Sequence, residues 1–206
     1  MAFTTFDELV TEVIKWSHRD DLDLLVPDFI TLAENAMYAN EVQILNVRSM
    51  GTVSTALTAS KYLSLPANFE SMRSARLELD NASELQYQAP EQLRRQSTTG
   101  QPLYYSIVGD EIEFNRTPDS SYTIELQYFR RATPLTSANQ TNEILTKYPS
   151  IYLFGALTAL YAHAQDTEEE QKYTLKFIGA IKGANKADKR GRYGSAPAMG
   201  LEGCIV

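Results

Sequence analysis

The spacing of apolar positions changes twice along the chain. Phe6, Leu9, Val10, Val13 and Ile14 recur at helical spacing and predict a helix to about Trp16. Thr5 followed by Glu8 is a capping box: the hydroxyl takes an orphan N–H and the carboxylate reaches back. The run from His18 to Asp23 (HRDDLD) reads as a polar turn. Pro27 opens a second helix, predicted to reach about Leu45, with Ile30, Ala33, Met37 and Ile44 near one stripe.

At Gly51 the period drops to two. Val53, Thr55 and Leu57 alternate as in a strand, Ala59 and Ser60 turn, and Lys61 to Leu65 predicts a short second strand ending at Pro66. Met72 to Asp80 is a third strand, and Leu85 to Gln88 its partner after a turn at Asn81 to Ser83. Pro90 to Gln96 predicts a helical turn, and Ser97 to Gln101 a loop. Leu103 to Val108 and Glu111 to Phe114 flank Gly109-Asp110 and form the clearest hairpin, with Ile112 and Phe114 on one face. Thr117 to Ser121 is another turn. Tyr122 to Ala132 is the longest strand signal, with Tyr122, Ile124, Leu126 and Tyr128 alternating against polar neighbours before Pro134.

After a polar loop, Thr136 to Thr141, the period lengthens again. Asn142 to Asp166 is the longest apolar segment, and Pro149 splits it into a short lead-in and a helix. Between Ile151 and Ala164 only Thr158 and His163 are polar. A helix apolar on every side is a buried one, so this is the expected central core helix. A final helix starts near Glu168 with acids in its first turn, where the helix dipole favours them. It runs through Leu175, Ile178 and Ile181 to about Arg190, roughly 35 Å. Its end is basic, with Lys182, Lys186, Lys189, Arg190 and Arg192 against Asp188. Gly191, Gly194, Pro197, Gly200 and Gly203 then mark a tail without a packing pattern.

Helices at both ends around a run of strands predict an α+β fold. The expected organisation is a helical bundle from residues 1–48 and 142–193, an inserted, mainly antiparallel β domain over 49–141, and an extended C-terminal tail over 194–206. The 206 residues can bury a sizeable core, and the net charge of −7 gives no overall attraction to nucleic acid or an anionic membrane. A single cysteine, Cys204, allows no internal disulfide and suits a reducing cytosol. The longest apolar run, Tyr152 to Ala164, falls short of the ~20 residues of a membrane span. A soluble protein made inside the cell is expected.

Candidate chemistry is sparse. His18 and His163 lie far apart without the ligand partners a zinc site needs, and His163 reads as a core or helix-end residue. There is no glycine-rich phosphate loop and no nucleophile elbow. The carboxylates Asp20 and Asp21, and Glu168 to Glu170, admit an acid–base reading and a plainer one as a solvated turn and a dipole-favoured first turn. No cofactor or metal is implied. Tyr104, Tyr105, Tyr122, Tyr128 and Phe129 could form a stacking platform for sugar or single-stranded nucleic acid, with Tyr104, Tyr105 and Tyr128 as its binding residues. The strand region's arginines are matched by acids, which favours core packing and protein contact. The basic helix end and tail read either as dipole complementation with a frayed terminus or as a segment that orders on binding a partner.

Three ordered stretches resemble a known family. Tyr62-Leu63-Ser64-Leu65-Pro66-Ala67-Asn68-Phe69 resembles a Y-x-L-P-x-D/N-F element. Ile112-Glu113-Phe114 through Pro118, with Tyr122 to Arg131, resembles P-x-P-D followed by Y-x-L-x-Y-Y. Asn142 to Leu145 with Tyr148 to Leu157 resembles N-x-L-L followed by P-D-L-Y-L-Y-G-A-L. Thr117 stands where a second proline is usual and Ser150 where an acid is common. Together, over most of residues 1–193, they resemble the head-to-tail adaptor (connector) proteins of tailed bacteriophages, similar to the tail tubular protein A type of short-tailed phages.

The resemblance implies a non-enzymatic virion protein of the head–tail junction, made in the host cytoplasm. It implies a homo-oligomeric ring of about twelve copies with closed symmetry, joining the portal protein above to the tail nozzle or tail tube below. DNA would pass through it without specific binding during genome ejection, and no membrane is involved. It places portal binding at the C-terminal segment, here Lys182, Lys186, Lys189, Arg190, Arg192, Tyr193, Met199, Leu201, Ile205 and Val206. The β-region turns Gly109, Asp110, Pro118, Asp119, Ser120 and Ser121 are the expected contacts to tail or neighbour.

Overall fold

The computed structural model describes residues 3–39, 50–57, 60–78, 83–93 and 98–192. It is an α+β chain whose contacts fall into two units, Met1–Arg48 with Ala132–Val206, and Ser49–Arg131.

In the helical unit, α1 (Phe6–Ser17) starts with the expected capping box. The Glu8 carboxylate accepts from the Thr4 and Thr5 N–H groups, at 2.7 and 3.3 Å. These bonds, Thr4's first, hold its pKa below the ordinary carboxylate value. Phe6, Leu9 and Val13 are buried, and Val10 and Ile14 half-buried beside them. The predicted polar turn is a 3-10 helix, Asp20–Leu25, that leads into α2 (Val26–Ala39). Ile30, Ala33 and Met37 are buried as their spacing predicts. Ile44, and the predicted continuation to Leu45, lie outside the described residues.

The lead-in to the apolar segment is itself a short helix, α4 (Glu143–Lys147; α3 belongs to the β unit). Asn142 caps it by accepting from the Leu145 N–H at 2.8 Å, while its amide donates to the Tyr152 hydroxyl at 2.6 Å and the Thr133 carbonyl at 2.9 Å. Pro149 then opens α5 (Pro149–His163) at a position where a missing N–H costs nothing. Ile151, Tyr152, Leu153, Gly155, Ala156, Leu157, Leu160 and Tyr161 are buried. Such burial on several sides needs neighbours on several sides, and α5 packs against α1, α2 and α6 (Thr167–Arg192). Gly155 is the tightest point: a Cβ there would stand 2.8 Å from the Ala33 Cβ of α2 and 2.9 Å from the Phe177 ring of α6. His163 is exposed at the helix end, with its ring 5.6 Å from that of Phe29.

α6 buries Tyr173, Phe177, Ile181 and Ala184. Of the apolar residues that mark the helix in the sequence, Ile181 joins that seam, while Leu175 is 72% exposed and Ile178 only half-buried. Counting back from Ile181 at 3.6 residues per turn reaches Phe177 and Tyr173 and puts Leu175 on the opposite side. The two aromatics also supply more apolar area than Leu175. The Tyr173 ring stacks on Tyr161, with centroids 5.4 Å apart.

Residues 132–141, expected with the β insertion, group with the helices instead. Their backbone donors find acceptors there. The Ala132 N–H donates to the Tyr38 hydroxyl at 3.0 Å, and the Leu135 N–H to Glu34 Oε1 at 2.8 Å. Leu135 is buried, and Gln140 accepts from the Phe6 and Asp7 N–H groups at 2.7 and 3.1 Å. Tyr152 also donates to Glu34 Oε1, at 3.0 Å. Burial outweighs these bonds and raises the Glu34 pKa, and burial likewise raises that of Tyr152.

The β unit holds β1 (Met50–Leu57), β2 (Tyr62–Ser64), β3 (Phe69–Leu77), β4 (Ser83–Tyr87), α3 (Pro90–Leu93), β5 (Thr98–Thr99), β6 (Tyr104–Val108), β7 (Glu111–Phe114), β8 (Arg116–Thr117) and β9 (Tyr122–Arg130). Seven strands form one sheet in the order β1-β9-β3-β4-β6-β7-β2, antiparallel except where β4 runs parallel to β6. The predicted loop at Ser97 to Gln101 contains β5, which pairs with β8. Alternation delivers Ala75, Leu77, Ile112, Phe114, Ile124, Leu126 and Tyr128 to one core. On the other side of β9, Glu125 is paired with Arg76, which holds its pKa below the ordinary value.

The helical packing sets two glycines apart. Gly155→Ala is expected to destabilise the chain by about 1 kcal/mol or more, because overpacking of ~1–3 kcal/mol exceeds the helix-propensity gain. Gly179→Ala, with nothing within 4 Å of its Cβ position, should stabilise by ~0.5–1 kcal/mol; urea titration followed by helical circular dichroism compares the two.

Glu34 supplies a pH test. Because its folded pKa is raised, its contribution is fully present below the unfolded value and is lost as pH rises through the folded value. Glu34→Gln keeps an oxygen for both donors, so it should flatten the loss of stability that sets in as pH rises above about 4. Glu34→Ala should cost about 1–3 kcal/mol at low pH by stranding those donors, and less as pH rises and the wild type loses the Glu34 contribution.

Candidate functional site

The Gly109-Asp110 pair forms the tight turn that its residue types predict. Gly109 has φ +62, while Asp110 is not in the left-handed region, the combination a type II′ hairpin turn requires. The Asp110 carbonyl accepts from the Leu65 N–H at 2.9 Å, tying the exit of β2 to the hairpin tip. Pro66 to Phe69 then turns back, with the Phe69 N–H on the Pro66 carbonyl at 2.9 Å. Asn68 braces this turn. Its carbonyl accepts from the Arg131 N–H at 3.0 Å and its side-chain oxygen from the Tyr128 hydroxyl at 3.3 Å.

Between the two turns lies a pocket of about 560 Å³, walled by Leu65, Pro66, Ala67, Phe69 and Ile107, with Glu70, Gly109 and Asp110 at its polar part. Glu70 is ion-paired with Arg131. The Asp110 carboxylate is exposed and has no ion-pair partner among the described residues. The wall contains no hydroxyl, thiol, imidazole or amine. It suits a seat for an apolar side chain with a hydrogen-bond donor or cation beside it.

The strand registers separate the expected contact residues. Ser64 lies opposite Glu111, and Phe69 opposite Arg130, so the pocket sits at the sheet end where β1 begins and β9 ends. Leu57 and Leu77 lie opposite Tyr122 and Ile124 at the other end. Pro118 to Ser121 immediately precede Tyr122 and therefore belong to that other end. Pro118 is buried, Asp119, Ser120 and Ser121 are exposed, and the Tyr122 hydroxyl donates to Asp119 at 2.5 Å. Gly109-Asp110 and Pro118–Ser121 are thus two sites, not one surface.

The basic end of α6 is exposed. Lys182, Lys186, Lys189 and Arg190 project away from the Tyr173–Phe177–Ile181 seam, whereas Asp188 is buried. Arg192 closes the helix. Tyr193, Met199, Leu201, Ile205 and Val206 lie outside the described residues, as does the extended-tail expectation for 194–206.

The other candidate chemistry is not assembled. Tyr105 and Tyr128 are buried in the β core and Tyr104 is half-buried, so the three do not present open ring faces for stacking. Burial raises the Tyr105 pKa further. Asp21 is held by Arg19 through two bonds of 2.7 and 2.8 Å, which lower its pKa, as a solvated turn requires. Among the described residues no group of three or more His, Cys, Asp or Glu is arranged to hold a metal ion, and no helix is long and apolar enough to cross a membrane.

Sequence reasoning overlooked the pocket wall. Its signal was present in Tyr62 to Phe69, whose Leu65, Pro66, Ala67 and Phe69 all line it. The exposed Leu24 and Leu32 were also overlooked. The family model described as SU10 adaptor protein matches residues 4–199, nearly the whole chain. No curated protein matches it.

Proposed function

Because this chain belongs to the SU10 adaptor protein family, a family of structural phage adaptors, we propose that it forms a ring between portal and tail. Membership by itself makes it a structural component of a phage virion. The finer reading is a closed ring of about twelve copies, of the tail tubular protein A kind, with a helical bundle as its body. It joins the portal on one side to the tail nozzle or tube on the other.

The observation that carries this reading is the match over residues 4–199, which takes in both units. The remaining features support it. A ring needs two different contact sides on each subunit, and the chain offers separate exposed features: a hairpin pocket, a turn at the other sheet end, and a basic helix end. A net charge of −7 suits a DNA channel, since stable phosphate binding is driven by Lys and Arg and would retard passage.

Portal binding is assigned to Lys189, Arg190, Arg192 and the segment that follows, Tyr193, Met199, Leu201, Ile205 and Val206 included. Lys182 and Lys186 belong to the same basic helix end. The pocket beside Gly109-Asp110 and the turn Pro118, Asp119, Ser120 and Ser121 are assigned to tail or neighbour.

Particles assembled with a chain lacking residues 194–206 should carry portal without adaptor, and the free adaptor should keep its helical circular dichroism. Normal joining of the truncated chain to the portal contradicts the assignment of the tail.

A further inference from the structure

Charge and exposed apolar surface are distributed unevenly over the helical unit. Residues 1–39 carry eight carboxylates against two basic side chains, so most of the chain's net negative charge can be assigned to this segment. The outward side of α2, opposite buried Ile30, Ala33 and Met37, presents Asp28, Leu32 and Asn35, all exposed. Leu24, in the 3-10 helix leading into α2, precedes Asp28 by four residues. Leu24 is 94% exposed and Leu32 54%. The Asp28 carboxylate has no ion-pair partner among the described residues.

α6 is the converse. Opposite its buried seam it presents Leu175, Lys182 and Lys186 along one line, with Gly179 between them. Leu175 is 72% exposed, and the Gly179 Cβ position has open space around it. Neither lysine has an ion-pair partner among the described residues. Lys172 and Lys176 are already occupied, by Glu169 and by the Tyr173 ring.

α5 packs against both helices, and at Gly155 it is pressed between Ala33 of α2 and Phe177 of α6. The α2 face, with its leucines and the Asp28 carboxylate, and the α6 face, with Leu175 and two lysines, belong to different helices of one unit. A chain with two complementary but different faces associates head to tail, and head-to-tail contacts close into rings when the rotation permits.

We infer that the occupant of the α6 face is a second copy of this chain: Leu175, Lys182 and Lys186 of one subunit receive Leu24, Asp28 and Leu32 of the next. The inference rests on the ring reading above. Complementary charge sets the register and the choice of partner, while the exposed leucines supply the surface removed from water. Asn35, beside Leu32 on the same side of α2, offers an amide oxygen to a lysine without adding charge.

Reciprocal charge changes in the full-length chain test it, with sedimentation velocity reading assembly alone and on the phage's portal ring. Lys182→Glu with Lys186→Glu leaves both faces acidic, and Asp28→Lys with Asn35→Lys leaves both basic. Each variant alone should stay monomeric while keeping its circular dichroism. An equimolar mixture of the two should assemble, since acidic and basic copies can alternate around a ring with an even number of subunits. Wild-type assembly should weaken as salt is raised.

If both variants assemble alone as the wild type does, or if the folded variants fail to assemble when mixed, the interface is wrong and the ring reading stands. If the wild type stays monomeric both alone and on the portal, the ring reading falls and the interface with it.

Discussion

Everything in the helical unit depends on how closely three helices can approach at Gly155. Only hydrogen occupies the space where a side chain would meet Ala33 of α2 and Phe177 of α6. That closeness lets α5 bury residues on several sides at once, and it fixes α2 and α6 against a common axis. Polar groups complete the arrangement. Glu34, Tyr152 and Asn142 satisfy one another and the backbone of the returning chain, including the Leu135 N–H and the Thr133 carbonyl. A buried polar cluster of this kind is stabilising only when its members are partnered. Here the partners come from α2, α5 and the 132–142 segment together, so the cluster also dictates where the chain rejoins the helices.

Much of the fold was legible because the dominant signals were strong. A fifteen-residue helix apolar on every side can only be buried, and Thr5 with Glu8 makes a cap by local chemistry alone. Gly109-Asp110 between alternating runs leaves few turn types open. What was not legible needed tertiary information. Leu175 looks like a core residue in any apolar count, and only the phase set by Tyr173 and Phe177 puts it outside. Residues 132–141 look like a polar loop because their acceptors, Glu34 and Tyr38, lie about a hundred residues earlier in the chain. The separation of Gly109-Asp110 from Pro118–Ser121 follows from strand register, which spacing along the sequence does not reveal. The tyrosines misled for the same reason: aromatic residues in strands pack inward as readily as they present a binding face.

A structural phage adaptor works through its surfaces. Its shifted ionisations have local structural causes: capping at Glu8, burial at Glu34 and Tyr152, and pairing at Asp21 and Glu125. The motif from Tyr62 to Phe69 illustrates the point. It carries no activated nucleophile or acid–base pair, yet it shapes one wall of a pocket and ties a hairpin tip to the start of β3. A structural adaptor needs this kind of local rigidity, because a joint transmits position only as well as its contact surfaces are held.

The most direct measurement is electron cryomicroscopy of the chain bound to its portal ring, with averaging that imposes no symmetry. The expected result is a closed, axially symmetric ring on the portal, with one helical unit per copy and α2 of each copy against α6 of the next. Isolated copies scattered on the portal without rotational order, or a ring in which these helices do not face one another, would contradict it.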